Sequence, residues 1–140
     1  MAGSLSEYAA GKVLNHALGV SSWTMPTTYI GLWTSALTSA STGATAGEAT
    51  YTGYARIATS GAWGSVTNAT PETIFNTTAI TFAACTASTS TVTYFGIFDS
   101  ITVGAGNLIA WGTCTSTVIS STQTPATFAI NALELTLSAS

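Results

Sequence analysis

Charge is almost missing from this chain. In 140 residues the basic side chains are Lys12 and Arg56, and the acids are Glu7, Glu48, Glu72, Asp99 and Glu134. Charged residues make up 5% of the sequence, where an ordinary globular domain is roughly a quarter charged. Such a chain cannot cover its fold with ions, so its exterior has to be built from Thr, Ser, Ala and Gly. Threonine alone occurs 28 times. Low charge would suit disorder only if aromatic residues were scarce as well, yet there are four Trp, five Tyr and five Phe. Threonine and aromatics fit a half-buried pleated surface, so the expected fold is mainly β.

The same scarcity bounds function. A net charge of −3 spread this thinly leaves no basic patch, which argues against nucleic acid as a partner. Hydroxyls and methyls lose far less hydration than ions do, so this exterior suits packing against other subunits. A free monomer would normally carry more charge. Adaptation to a host with Ala- and Thr-rich proteins is the plainer explanation of the same composition. Mean hydropathy is +0.43, but no apolar run approaches the roughly 18–20 residues of a membrane span. The start, MAGSLSEY, has no basic region or long apolar run and is not read as a secretory signal. The length suits one domain over residues 1–140, large enough to bury a core without a metal or disulfide. Cys85 and Cys114 are expected as buried free thiols, with a single disulfide as the alternative. Two cysteines and one histidine give no zinc-ligand spacing.

Residues 4–18 read as a helix. Ser4 and Glu7 have the S-x-x-E spacing of a capping box, and Ala10, Leu14, Ala17 and Leu18 share a face. Gly19 stands where a left-handed C-terminal residue belongs, and Gly11 weakens the middle, so the helix needs a surface to dock on. A β-rich body follows over residues 27–137. In 27–34, Ile30 and Leu32 should face one way, and Tyr29 and Trp33 the other. Residues 35–53 form a long Ser/Thr/Ala/Gly connection that suits contact with a neighbouring subunit. Further strands are expected at 54–60, 73–83, 91–99 and 107–118, with a turn at 100–106 carrying Gly104 and Gly106. The last, 127–137, changes face near Asn131, which suggests a bulge. Six or seven strands at this spacing favour antiparallel pairing, hence a β-sandwich or partly open barrel with one N-terminal α-helix. The segments IGLW and FGIF both place an aromatic next to Gly.

Nothing in the sequence prepares catalysis. His16 is the only histidine and falls near a helix end, where a dipolar donor is favourable. The five acids are too scattered for paired-carboxylate chemistry. Glycines 43, 47 and 53 lack the Lys and the following helix of a phosphate loop. The sequons at Asn68 and Asn76 are short patterns expected by chance in a Thr-rich chain and read as turn and strand residues. The chain is therefore not expected to be an enzyme or to hold a cofactor or metal. Arg56, the sole guanidinium, lies among apolar residues and needs carboxylate or carbonyl partners. Glu48 and Asp99 are the candidates, making Arg56, Glu48 and Asp99 an expected structural anchor. Trp33 and Trp111 sit in strands and suit burial, whereas Trp23 and Trp63 lie in connections and suit exposure.

Taken in order, YIGLWT, then GEATYTGYAR, then TVTYFGIFDS followed by GNLIAWG resembles a group of small tailed-bacteriophage virion proteins, often labelled tail-fibre proteins. The resemblance runs from about residue 5 to residue 137. Its most distinctive pieces are Gly47-Glu48, Gly53-Tyr54-Ala55-Arg56 and Phe95-Gly96-Ile97-Phe98-Asp99. The Thr-rich segments 38–46 and 113–124 are longer than the group's pattern. The resemblance implies a β-rich fold, a place in the virion after assembly in the host bacterial cytoplasm, and no catalytic residues. Small size suggests a head decoration or cement subunit that binds the major capsid protein and copies of itself. The alternative is a tail accessory or receptor-binding fibre subunit in contact with other tail proteins. Leu5, Tyr8, Trp23 and Trp63 are the candidate partner contacts.

Overall fold

The computed structural model describes residues 2–67 and 70–137. Asn68, expected in a turn and in a sequon, lies outside them. The first strand, β1 (Ala2–Leu5), leads into α1 (Glu7–Ala17), followed by β2 (Tyr29–Trp33), β3 (Ile57–Ala58), β4 (Glu72–Phe75) and β5 (Ile80–Thr81). The long hairpin of β6 (Ser90–Phe98) and β7 (Leu108–Ile119) precedes β8 (Thr127–Phe128) and β9 (Glu134–Leu137). Seven strands form one sheet in the order β3-β2-β6-β7-β1-β9-β4, and β5 and β8 form a separate ribbon. The sheet curls as a half-barrel around the main core, consistent with an open sandwich or barrel with one helix near its N-terminus.

Alternation in the strands builds two apolar layers. Ile30 and Leu32 of β2 join Val92, Phe95 and Ile97 of β6 in the main core, closed by Phe82, Phe128 and Leu133. Trp33 points the other way and packs with Leu37, Phe98 and Leu108 in a smaller cluster. Burying each such Leu, Ile or Phe is worth about 1.5–3 kcal/mol. The two aromatic–Gly segments prove to be partners across strands, with Gly31 opposite Gly96 and Leu32 opposite Phe95. Each glycine makes room for an aromatic. A Cβ on Gly31 would lie 2.8 Å from the Tyr54 hydroxyl, and one on Gly96 2.6 Å from the Phe98 ring.

The structure corrects four boundaries. The helix does not begin at residue 4, because residues 2–5 are drawn into the sheet, antiparallel to β7 and parallel to β9. That parallel pair makes the sheet mixed rather than purely antiparallel. The cap is Ser6, whose hydroxyl accepts from the Ala9 amide at 3.1 Å and donates to the Leu108 carbonyl. Gly19 ends the helix at φ +72°. Only Ile57–Ala58 of the expected strand 54–60 pairs, because Gly53 turns the chain at φ +101° and the side chains of Tyr54 and Arg56 are committed to Glu48. Residues 73–83 divide into β4 and β5 at buried Asn76. The final stretch 127–137 does not bulge but breaks into β8 and β9 around a turn, with Asn131 at φ +61°.

Three apolar residues of the 35–53 connection pack on its own sheet. Leu37 fills the smaller cluster, Ala49 and Tyr51 enter the main core, and the Thr45 carbonyl accepts from the Trp33 indole at 3.2 Å. Cys85 is buried and Cys114 half-buried, and both are free thiols.

Candidate functional site

Arg56 is 2% exposed and is held from all sides. Its Nε donates to Glu48 Oε1 at 2.7 Å and its Nη2 to Glu48 Oε2 at 2.9 Å, a bidentate pair. Nη1 donates to the carbonyls of Ser100 at 2.9 Å and Ala105 at 2.8 Å, in the turn between β6 and β7. The guanidinium lies 4.2 Å from the Phe98 ring centroid and 5.6 Å from that of Trp33. Glu48 is equally engaged, accepting from the Tyr54 hydroxyl at 2.9 Å and the Gly104 amide at 3.0 Å. The Tyr54 oxygen in turn accepts from the Leu32 amide at 3.0 Å. Burial first, then the neighbouring Glu48 charge, push the Tyr54 hydroxyl well above the ordinary tyrosine range. This clamp ties the 48–56 segment, the edge of β2 and the β6–β7 turn together, with no room for a ligand at the guanidinium.

Asp99 does not meet Arg56. Its carboxylate accepts from the Asn107 backbone amide at 2.6 Å and side-chain amide at 2.8 Å, closing the same turn from its other side. The expected anchor is therefore a pair, with Asp99 a separate brace of one turn. Sequence reasoning misses Tyr54, although the residue stands in the GYAR motif, because nothing local says that its hydroxyl reaches Glu48. It also misses Asn76. That residue is fully buried, its Nδ2 donates to the Thr78 and Ala129 carbonyls at 2.9 and 2.8 Å, and its Oδ1 accepts from the Leu133 amide at 2.8 Å. This clasp holds the turn between β8 and β9.

The candidate partner contacts fall in different settings. Trp63 is half-buried and leans on the main core. Tyr8 is half-buried beneath the Lys12 ammonium, 5.5 Å from the ring centroid. Trp23 is half-buried, and its backbone amide donates to His16 Nδ1 at 3.2 Å. Trp23 belongs to an arm formed by α1 and the chain that returns to β2. Of α1 only Ala9 is buried, and Leu14, Leu18, Val20 and Met25 stand in solvent. Leu5 lines a groove of about 280 Å³ on the inner face of β1, β9 and β4, with Val66, Ile74, Leu135 and Leu137. In that groove the Glu72 Oε2 atom is covered yet has no hydrogen-bond partner among the described residues. No cluster of three or more His, Cys, Asp or Glu suited to a metal occurs among the described residues, and no helix there is long and apolar enough to cross a membrane.

A family model described as podophage GP4 fiber I protein gp80 matches residues 4–136. The chain belongs to this family. As a gp80-family member it is a structural protein of the phage virion. No curated protein matches it. The three motifs that carry the resemblance to phage virion proteins have structural tasks in this gp80-family chain. Gly47-Glu48 and Gly53–Arg56 make the clamp, while Phe95–Asp99 supplies the core strand and the turn brace.

Proposed function

We propose that this chain is a non-catalytic assembly subunit of the virion, seated at the fibre and joined to other tail proteins and to copies of itself through uncharged surface. The observation that carries the reading is the arm, where Leu14, Leu18, Val20 and Met25 are exposed on a chain with almost no ions to keep such surface solvated. Apolar area covered by a neighbour gains roughly 25 cal/mol per Å², and the hydroxyl-rich surroundings are cheap to dehydrate. The family description favours the fibre. The second reading is a head decoration subunit on the major capsid protein, favoured by short strands curled around one main core rather than an elongated repeat.

Counting copies of the chain in purified particles by quantitative mass spectrometry separates the two. A handful per particle supports the fibre and hundreds support the head. Absence from the particle overturns both.

A further inference from the structure

The molecule carries two unspent features of complementary character. The first is the arm, with Leu14 60%, Leu18 76%, Val20 72% and Met25 82% exposed. Each therefore leaves most of its surface in water, where apolar area is unfavourable. An 11-residue helix with one buried side chain is also too short to be stable on its own account. The second is the groove, where the inner face of the half-barrel runs out uncovered. Ile74 lies opposite Leu135, and Glu72 opposite Leu137, in the β4–β9 register. Leu137 and Val66 are about half exposed at its rim.

The charges match as well. Glu72 Oε2 is shielded from water with no donor among the described residues, a costly state for a carboxylate oxygen. The chain has two cations. Arg56 is held in the clamp, and Lys12, on the arm, lies over the Tyr8 ring and makes no ion pair among the described residues. Within a subunit the helix of the arm packs against β7 and not in the groove. The base of the arm is pinned on the β7 side, where the Ser6 amide donates to the Ile109 carbonyl at 2.9 Å and the Glu7 amide to the Ser39 carbonyl at 3.0 Å. The Ser39 hydroxyl also donates to the Glu7 carboxylate at 2.9 Å.

We infer that the arm of one copy seats in the β1–β9–β4 groove of the next, its leucines covering the apolar inner face and Lys12 bringing its positive charge beside the Glu72 carboxylate at the groove. The contact is head-to-tail, so each copy offers one arm and one groove, and successive copies close into a ring or continue as a filament. The inference rests on the proposed role as an assembly subunit and names the self-contact within it.

Light scattering and sedimentation of the purified full chain test it. The unaltered chain should self-associate as concentration rises. The doubly substituted Leu14→Asp/Leu18→Asp chain and the Leu137→Asp chain should each be monomeric, with unchanged circular dichroism. Mixed in equal amounts, the two should form a one-to-one dimer and nothing larger, because one intact arm meets one intact groove. Lys12→Gln or Glu72→Gln should weaken association about tenfold. Should Leu137→Asp fail to fold, a zero-length carbodiimide on isotopically mixed native chain gives an independent readout, a Lys12–Glu72 cross-link between copies. A chain that is monomeric at millimolar concentration, or a mixture that fails to pair, overturns the inference. A monomeric chain that is nonetheless counted in the particle overturns this contact alone, whereas absence from the particle removes the assembly role itself.

Discussion

The clamp around Arg56 and the arm around Leu14 are opposite solutions to a shortage of charge. At the clamp one guanidinium and one carboxylate serve six other groups: two carbonyls, a backbone amide, a tyrosine hydroxyl and two aromatic rings. A buried pair is stabilising only when its remaining hydrogen-bonding capacity is filled, and here it nearly is. On the arm, apolar side chains meet water, and Gly11 faces open space, since a Cβ added to it would have no neighbour within 4 Å. The clamp is completed within the subunit, while the arm's apolar side chains stay exposed. Arg56 and Glu48 thus stand where geometry must be fixed.

Three substitutions probe that contrast. Replacing Arg56 with Met leaves the Glu48 carboxylate buried without its cation and two carbonyls without donors. It should cost about 3–5 kcal/mol in urea unfolding, and a loss below about 1 kcal/mol would show that the clamp is ornamental. Tyr54→Phe should cost about 1–3 kcal/mol, since it strips a donor from Glu48 and an acceptor from the Leu32 amide. It should also change the alkaline limb of stability. The Tyr54 hydroxyl is raised above 10.0 in the folded chain, so its contribution is complete below that pH and falls as pH rises beyond it, when the unfolded tyrosine ionises and the native one resists. The Phe variant should therefore lose stability less steeply above pH 10. The smallest effect belongs to the arm. Gly11→Ala, which meets no neighbour, should raise stability by about 0.5–1 kcal/mol in thermal melts through helix propensity alone. A loss there would mean that the glycine is needed within the subunit, and the contrast with the clamp would fade.

The body was legible in the sequence where local pattern and tertiary demand agree. The β6–β7 hairpin announces itself through alternation and the Gly104/Gly106 turn, and the two faces of β2 follow from YIGLW. Legibility ended where a distant partner decides. Ser4 has the right spacing for a cap, yet residues 2–5 gain two strands of hydrogen bonds by lying between β7 and β9, which no local window contains. Asn76 looks like a strand residue because its task, holding the Leu133 and Ala129 backbone, spans more than fifty positions. Arg56 was identifiable as an anchor by its isolation, and Glu48 as one of its two candidate partners. The choice between Glu48 and Asp99 was not, since both approach the same turn. The groove could not be read at all, because it forms only when β1, β4 and β9 come together.

The turn between β6 and β7 is threaded into the clamp by the Ser100 and Ala105 carbonyls and the Gly104 amide. An inserted peptide there would pull three ties from a buried cation and anion at once, so the tip is closed to variation in length despite lying at the surface. The Thr-rich bend at residues 121–124 is exposed and shares none of these ties. Foreign epitopes or affinity tags meant for display on this scaffold belong at that bend and not at the hairpin tip.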